Sequence, residues 1–581
     1  ELKTRLGTIP PHRHEGVPDT TALGFTVGSN VDFVVENSLC HGCGSCEASC
    51  PAGAVSMEFE NRRGIYLPGI DAEKCSNCGI CVDVCSGFAL DLKQKPASQS
   101  RLEHHHPFIG SYQWIARAYT NNPDTRKRAA SGGIITEIVS YLLETGEVDG
   151  AILTRMSADN PLKAEGYIAR STADLKPSQK SKYCPVALNT ILRPLVQNPG
   201  KERFVFVGLP HHVHGVRLMQ RVHPHLEEAI PFVLSSFSAH VPSQRATEFV
   251  LYKQNLLPEE VESIEYRGGG NPGFMRILCN NGREVFVPHL HWTYSGHTFP
   301  LFFYPVREWL YFDKVSEWAD LSTGDNWMKG LAEQAGASSI VVRSQAMERI
   351  LLELLEQRRI SLIKMTEQDL MTDQGLRTKL NVYWRLRIWR RLGRAIPLYT
   401  REFERLNAQR FRTFRFSIYV LLCEHKLPFW LMNLIIGGDY YLRAKPMKAL
   451  RKIGKGLVSA VGLFRPIKDG IPPKRCKYKV VLIGGFGYQD IGDEAMPHAV
   501  RVNLRKKLGQ DLEIVMLSPD PAGTEEMHGE NSVQDFTRIS FPKGASIPRK
   551  ALAFAMTCFL YTSVWLEKYL GIRLALWPGA R

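Results

Sequence analysis

After residue 105, apolar and polar positions follow the rhythm of an alternating α/β chain. In KRAASGGIITEIVSYLLETGEVDGAILTR (127–155), Ile134, Ile138, Tyr141 and Leu142 fall at helical spacing. The spacing predicts a helix opened by ASGG, and DGAILTR then reads as a strand. Near the far end, VVLIGGFGYQDIGDEAMPHAVRVNLRKKL (480–508) predicts an apolar strand, a glycine-rich turn and a helix. DLEIVMLSPDP (511–521) is the next strand, so this is a βαβ opening. The first thirty residues are polar and lack the apolar centre of a signal peptide. They begin with Glu1, as a processed or trimmed chain would. The most apolar stretch, ALAFAMTCFLYTSVWL (551–566), spans 16 residues. A membrane span needs roughly 20, so a buried or surface-lying helix is expected.

At 581 residues the chain is too long for one core and predicts several domains. The net charge of +15 is unevenly spread. Residues 381–455 hold 17 Lys or Arg against 4 Asp or Glu, a net +13. This segment opens with VYWRLRIWRRLGR, aromatic and basic residues interleaved. A solvated helical linker is the plainest reading. Contact with an anionic membrane surface is the second, since apolar stretches such as FWLMNLIIGG (429–438) follow. Nucleic acid comes last, because no recognition motif accompanies the charge.

Eight of the 13 cysteines stand in two runs. CHGCGSCEASCP supplies Cys40, Cys43, Cys46 and Cys50, and CSNCGICVDVCSG supplies Cys75, Cys78, Cys81 and Cys85. Both follow the C-x2-C-x2-C-x3-C pattern of cubane iron–sulfur clusters. Three thiolates of each run wrap one 4Fe-4S cluster, and the fourth reaches the other. The expected sets are Cys40, Cys43, Cys46 with Cys85, and Cys75, Cys78, Cys81 with Cys50. Gly44 and Gly79 would let the loops turn tightly. Zinc sites use cysteine pairs instead, and disulfides need an oxidising compartment that nothing here supports. Ser86 stands where Pro usually follows the last cysteine. Cys184, Cys279, Cys423, Cys476 and Cys558 are scattered and read as small buried apolar residues. The triplet His104–His106 reads as solvated linker.

Ser-Gly-Gly at a helix start offers backbone N–H groups to a phosphate, although Gly-Gly also simply begins helices. In order along the chain, that motif is followed by SKYCP (181–185), FVFVGLP (204–210), SIEYRGGGNPG (263–273) and ADLSTGDNW (319–327). The ordered set resembles the family of coenzyme F-420 hydrogenase/dehydrogenase beta subunits over about 31–365. The resemblance implies a flavoprotein holding FAD, or FMN. It would pass electrons between iron–sulfur clusters and a second carrier: a deazaflavin coenzyme, a ferredoxin or a pigment-like substrate. By match to the family motifs, Ser131, Gly132 and Gly133 would face the flavin phosphates, with Thr136 counted among the cofactor-binding residues. Lys182 and Tyr183 would lie near the isoalloxazine. Lys180 replaces the glycine usual before Ser-Lys-Tyr. Members of the family often carry four further cysteines in this domain, and here those positions are His211, Ser238, Glu308 and Tyr311. The resemblance therefore implies no third cluster, with Trp309, Tyr311 and Phe312 filling the space. Catalytic residues stay unassigned. Asp325 is the polar orienter of the GDNW turn or its structural cap.

GFGYQDIGDEA resembles polysaccharide pyruvyl transferases, whose two facing Rossmann-like (GT-B-type) domains imply transfer onto sugar hydroxyls. Gly484, Gly485 and Gly487 are placed for an anionic ligand, and Asp490, Gly492, Asp493 and Glu494 are the motif residues. The stretch from about 477 to 581 is shorter than such a module and reads as the N-terminal part of one in a longer chain.

The expected architecture is therefore multidomain α/β and α+β. An N-terminal arm covers 1–30 and a bacterial-type ferredoxin domain with two 4Fe-4S clusters 31–95. A flavin-binding α/β domain covers 105–365 and a basic helical linker 366–475. A partial Rossmann-like domain covers 476–581. The expected function is an iron–sulfur flavoprotein oxidoreductase, cytoplasmic or peripheral to a membrane, working with ferredoxin or reduced deazaflavin coenzyme in an oligomer or larger redox complex, in polysaccharide biosynthesis if the fusion is informative. The alternatives are a non-catalytic electron-transfer or scaffold subunit, and a pyruvyl transferase with a regulatory redox half.

Overall fold

The computed structural model describes residues 30–400, apart from 103, 270–272, 290–298, 300–302, 328–335 and 392, and three strands at 478–483, 512–518 and 531–534. The chain divides into two compact units, Glu1–Met432 and Asn433–Arg581.

The first unit is built on an eight-stranded sheet. Its strands are β1 (Trp114–Thr120), β2 (Gly150–Met156), β3 (Ala164–Ala169), β4 (Phe204–Gly208), β5 (Phe232–Ser236), β6 (Leu321–Asp325), β7 (Ser338–Val342) and β8 (Ile360–Lys364). They lie in the order β8-β1-β7-β6-β5-β4-β2-β3. Four adjacent strands, β2, β4, β5 and β6, run parallel. The remaining pairings are antiparallel. Parallel strands are covered on both faces, which is why they read as apolar runs such as FVFV and FVLS. Successive residues serve opposite faces. Val205 and Leu234 pack into one core, whereas Phe204, Phe206 and Val233 pack into the other. Helices α1 (Ile134–Glu144) and α3 (Gln345–Glu356) cover the first face, and α2 (Pro210–Val222) covers the second.

The predicted helix after ASGG is α1, and Ile134, Ile138, Tyr141 and Leu142 are its buried stripe. The strand expected in DGAILTR is β2. Gly132 is required by contact: a Cβ there would stand 2.4 Å from the Ala118 carbonyl oxygen.

The cysteine-rich segment forms two loops, each ending in a short helix, Ser45–Ser49 and Ile80–Asp83. A hairpin, Val55–Glu60 with Ile65–Ile70, separates them. Gly44 and Gly79 precede the two helices with φ of +90° and +81°, the left-handed turn expected of them. This segment shares a core with the sheet: Ala48, Val84 and Leu90 pack with Leu188, Phe204 and Val216. The expected boundary between 95 and 105 is thus not a break in the core. His104–His106 is a short strand paired with Gly110–Tyr112, with His104 and His105 exposed as a solvated segment would be.

The stretch from 366 also differs from a solvated linker as far as residue 400. Leu370, Met371 and Leu376 enter a core with Ile109 and Val341. A helix, α4 (Leu380–Arg391), follows. Leu398–Thr400 then pairs in parallel with Ala89–Asp91 of the cysteine-rich segment. Lys379 is fully buried, donating to Phe108 O at 2.6 Å and standing 3.6 Å from Glu317. The rest of the basic segment, 401–455, lies outside the described residues, as do the apolar stretch 551–566 and the scattered cysteines Cys423, Cys476 and Cys558. Among the described residues, no helix is long and apolar enough to cross a membrane.

In the second unit, Tyr478–Ile483, Leu512–Ser518 and Asn531–Gln534 pair in parallel in that order. Parallel neighbours require crossovers, in keeping with the predicted βαβ opening. Gly484, Gly485, Gly487, Asp490, Gly492, Asp493 and Glu494 lie outside the described residues.

Asp320 holds the first unit together from inside. Its carboxylate accepts from Arg217 Nη2 (2.8 Å), Val233 N (2.8 Å) and Ser98 Oγ (2.7 Å). Asp320→Ala would strand the buried Arg217 charge. The expected loss is about 3–5 kcal/mol, read from the urea midpoint and slope. A loss below about 1 kcal/mol, the level of an exposed pair, would contradict this role.

Candidate redox site

The eight cysteines gather as two quartets. Cys40, Cys43, Cys46 and Cys85 line one small cavity, and Cys50, Cys75, Cys78 and Cys81 line another. Each quartet takes three residues from one run and one from the other. None of the ten described cysteines is in a disulfide. Among the described residues, no group of three His, Cys, Asp or Glu closes around a point as a single-ion site would. Four cysteines around each cavity, three from one run and one from the other, is the sharing expected of two cubane clusters. Burial pushes the thiols of Cys40 and Cys81 up to about 11, and raises Cys46 and Cys85 as well. Such sulfurs become thiolates when a metal displaces their protons. Ser86 is fully buried against the first quartet, its Oγ 4.0 Å from Cys43 Sγ. Cys184 and Cys279 are buried away from both quartets, as small apolar residues would be.

A cavity of about 450 Å³ opens at the carboxyl ends of β2, β4, β5 and β6, where Thr154, Gly208, Ser236 and Asp325 line it. Open α/β sheets bind ligands in this position. Ser131, Gly133, Thr136, Lys182 and Tyr183 all reach its wall. Gly132 does not. Its N–H donates to Ser338 Oγ at 3.0 Å and its carbonyl accepts from Thr120 N at 2.8 Å, because the residue is pressed against the sheet. Of the Ser-Gly-Gly motif, two residues line the cavity and the middle one anchors the turn.

Arg267, from the YRGG stretch, is the organiser that the sequence reading missed. It is 2% exposed. It donates to Ala130 O (2.9 Å), Tyr183 OH (3.1 Å) and Asp325 Oδ2 (3.0 Å), joining three separated motifs. Asp325 is thereby a partner of Arg267 as well as a wall of the cavity. Lys180 turns outward from the usual backbone range with φ of +66° and pairs with Glu265 at 2.7 Å. An arginine among glycines gives no periodic signal, so only its distant partners reveal it.

Lys182 Nζ donates to Ser178 O (2.6 Å), Gln179 O (2.8 Å) and Lys180 O (3.2 Å). Burial pushes its amine down to about 7. The three carbonyl oxygens work against that shift by holding the ammonium form.

Three of the four positions expected to have exchanged cysteine for other residues come together around His41. His211 stacks on His41 with centroids 5.2 Å apart, and Tyr311 meets its ring edge at 4.7 Å. Glu308 Oε1 stands 3.5 Å from His41 Nδ1. Ser238 is elsewhere: it lines the large cavity. The space is filled by charge as well as bulk. Burial works to raise the Glu308 carboxyl, but His41, the adjacent Arg307 and the Val241 N–H at 2.7 Å outweigh it and hold it below its usual range. Trp309 and Phe312 are buried, against His240 and Tyr399 respectively.

Comparison with known proteins fits this geometry. Residues 39–88 match a 4Fe-4S dicluster domain. Residues 115–193 and 201–368 match the N-terminal and C-terminal domains of the coenzyme F420 hydrogenase/dehydrogenase beta subunit. These two stretches are similar to that family. A coenzyme F420-dependent sulfite reductase of Methanocaldococcus jannaschii is 27% identical over 187 residues, 32% of this chain and 26% of its own length. A subunit of the F420H2 dehydrogenase of Methanosarcina mazei is 26% identical over 197 residues, 32% of this chain and 50% of its own. The coenzyme F420 hydrogenase subunit beta of Methanothermobacter thermautotrophicus is 23% identical over 253 residues, 43% of this chain and 83% of its own. The chain thus spans about a quarter of the sulfite reductase and half of the dehydrogenase subunit. It carries a 4Fe-4S dicluster-type domain followed by two domains similar to those of the beta subunits.

A lowered folded pKa means that the Lys182 ammonium facing the cavity is lost as pH rises through about 7. Between there and its ordinary value the unfolded chain holds the extra proton, so this group's contribution to stability grows with pH across that window. An anionic probe such as FMN, titrated in and read by fluorescence quenching, should therefore bind less tightly as pH rises through about 7. Lys182→Met should weaken binding at low pH and flatten the profile. An unchanged profile in the variant would remove Lys182 from the titration.

Proposed function

We propose that this chain is an iron–sulfur flavoprotein oxidoreductase that moves electrons between two 4Fe-4S clusters and a flavin, FAD or FMN, in the large cavity. The observation that carries this reading is the convergence of Ser131, Lys182, Tyr183 and Asp325 on one cavity at the ends of the parallel strands. The two quartets would hold the clusters in the sets given above. A bound flavin would supply the junction between one-electron and two-electron chemistry.

The chain's own residues would bind and orient it. Ser131, Gly133 and Thr136 lie at the start of α1, where a phosphate meets the positive end of a helix dipole. Lys182 brings a positive charge to the wall, and Arg267 fixes Tyr183 against it. The cavity volume lies within the usual range for cofactor sites. The redox partner in this reading is reduced deazaflavin coenzyme or a ferredoxin, and the chain would work within a larger redox complex. The deazaflavin partner and the larger complex follow the relatives, which are named as F420-linked enzymes and subunits. A place in polysaccharide biosynthesis rests on the GFGYQDIGDEA pattern within 477–581 and belongs to the same proposal, with no transferase activity assigned to that stretch.

Iron and released flavin in anaerobically purified protein test this. About eight irons per chain, from two four-iron clusters, and one flavin are expected. The same iron without flavin would reduce the chain to an electron-transfer role. Four more irons would show that the residues around His41 do not replace a cluster.

A further inference from the structure

The two redox sites are joined by imidazoles. His41 lines the cavity of the Cys40, Cys43, Cys46 and Cys85 quartet. Its ring stacks on His211 at 5.2 Å, with planes 16° apart. His211 in turn lies 4.0 Å from the ring of His212. His212 lines the large cavity. A second connection runs beside the rings. Asn189 N donates to Cys43 O at 2.8 Å, and Asn189 Nδ2 donates to His212 O at 3.0 Å. The other quartet lines its own cavity without any of these residues, and its Cys78 is exposed.

We propose that His41, His211 and His212, braced by Asn189, form the electron bridge between the Cys40 quartet and the large cavity. This makes the Cys40 quartet the inner one and the Cys50, Cys75, Cys78 and Cys81 quartet the outer one, which meets an external one-electron carrier of the ferredoxin class. The proposal rests on the cluster and flavin reading given above.

The His212 ring is fixed by hydrogen bonds at both nitrogens. His212 Nδ1 accepts from Leu209 N at 3.2 Å, so the proton is on Nε2, which donates to Val186 O at 3.0 Å. Burial keeps His211 well below its ordinary value and pushes His212 down to about 4. Neither ring needs to take or release a proton as charge passes. Each passage moves one electron, oxidising one redox site and reducing the other. Two passages, with two protons exchanged with solvent, balance the two-electron change of a flavin.

His211 is the residue to change, because it lines neither the quartet cavity nor the large one. His211→Ala is expected to retain iron and flavin. It should slow flavin reduction by dithionite-reduced clusters several-fold in stopped-flow absorbance, while His211→Phe, which restores a packed ring, recovers most of the rate. An unchanged rate in His211→Ala would overturn the bridge and leave the flavoprotein reading intact. Wild-type protein without flavin would overturn both. Metal-free protein gives an independent measurement. Brief iodoacetamide treatment and peptide mass spectrometry should label Cys78 before Cys40, Cys43, Cys46 or Cys85. Earlier labelling of the Cys40 quartet would overturn the assignment of inner and outer, and would do so even if His211→Ala failed to fold.

Discussion

Asn189 sits where the cysteine loops meet the sheet, and the placement of everything redox-active follows from that contact. It is fully buried. Its backbone takes the Cys43 carbonyl, and its side chain binds both Ser45 Oγ and the first turn of α2. The approach is close enough that α2 needs a glycine beneath it: a Cβ on Gly215 would stand 2.2 Å from Ser45 Oγ. The Asn189 Nδ2 donor is costly to leave unpaired once buried, so this junction permits few alternative dockings. The distance between quartet and cavity is thereby set by hydrogen bonds to backbone, not by a hinge between domains.

The sequence revealed what is local. Cysteine spacing is dictated by the shape of a cubane, so the runs and their interleaved sharing could be read before any fold was known. The helix after ASGG and the strand in DGAILTR followed from periodicity. What stayed hidden depends on partners far along the chain. Arg267 draws its meaning from residues 58 to 137 positions away. Lys379 and Arg385 belong to a charge-rich stretch that reads as solvated, yet Lys379 is buried on Phe108 O and Arg385 reaches Trp309 O. Asn189 is one amide within the apolar run PVALNTILRPLV (185–196), which carries no local signal of its contacts.

The surroundings of His41 show how this core accommodates polar groups. His214 Nε2 lies 3.0 Å from Asp313 Oδ2, and Tyr311 OH meets His214 Nδ1 at 2.7 Å, all fully or nearly buried. Burial acts to raise Asp313, but His214 and Lys379 overcome it and hold the carboxyl well below its usual range. Such groups are tolerated because each charge has a partner. The region between the sulfur loops and the sheet is thus a polar lattice, in which a single deletion leaves its neighbour stranded.

The strand Leu398–Thr400 gives the sulfur loops a reach well beyond their own sequence. Leu398 N donates to Phe88 O at 2.8 Å, three residues beyond Cys85. Cluster ligation supplies part of the folding energy of the loops that perform it. Any loosening of the Cys85 loop would be felt at Leu398. The iron content of the protein is in this sense a mechanical variable: order in the Cys85 loop is also order in the strand Leu398–Thr400.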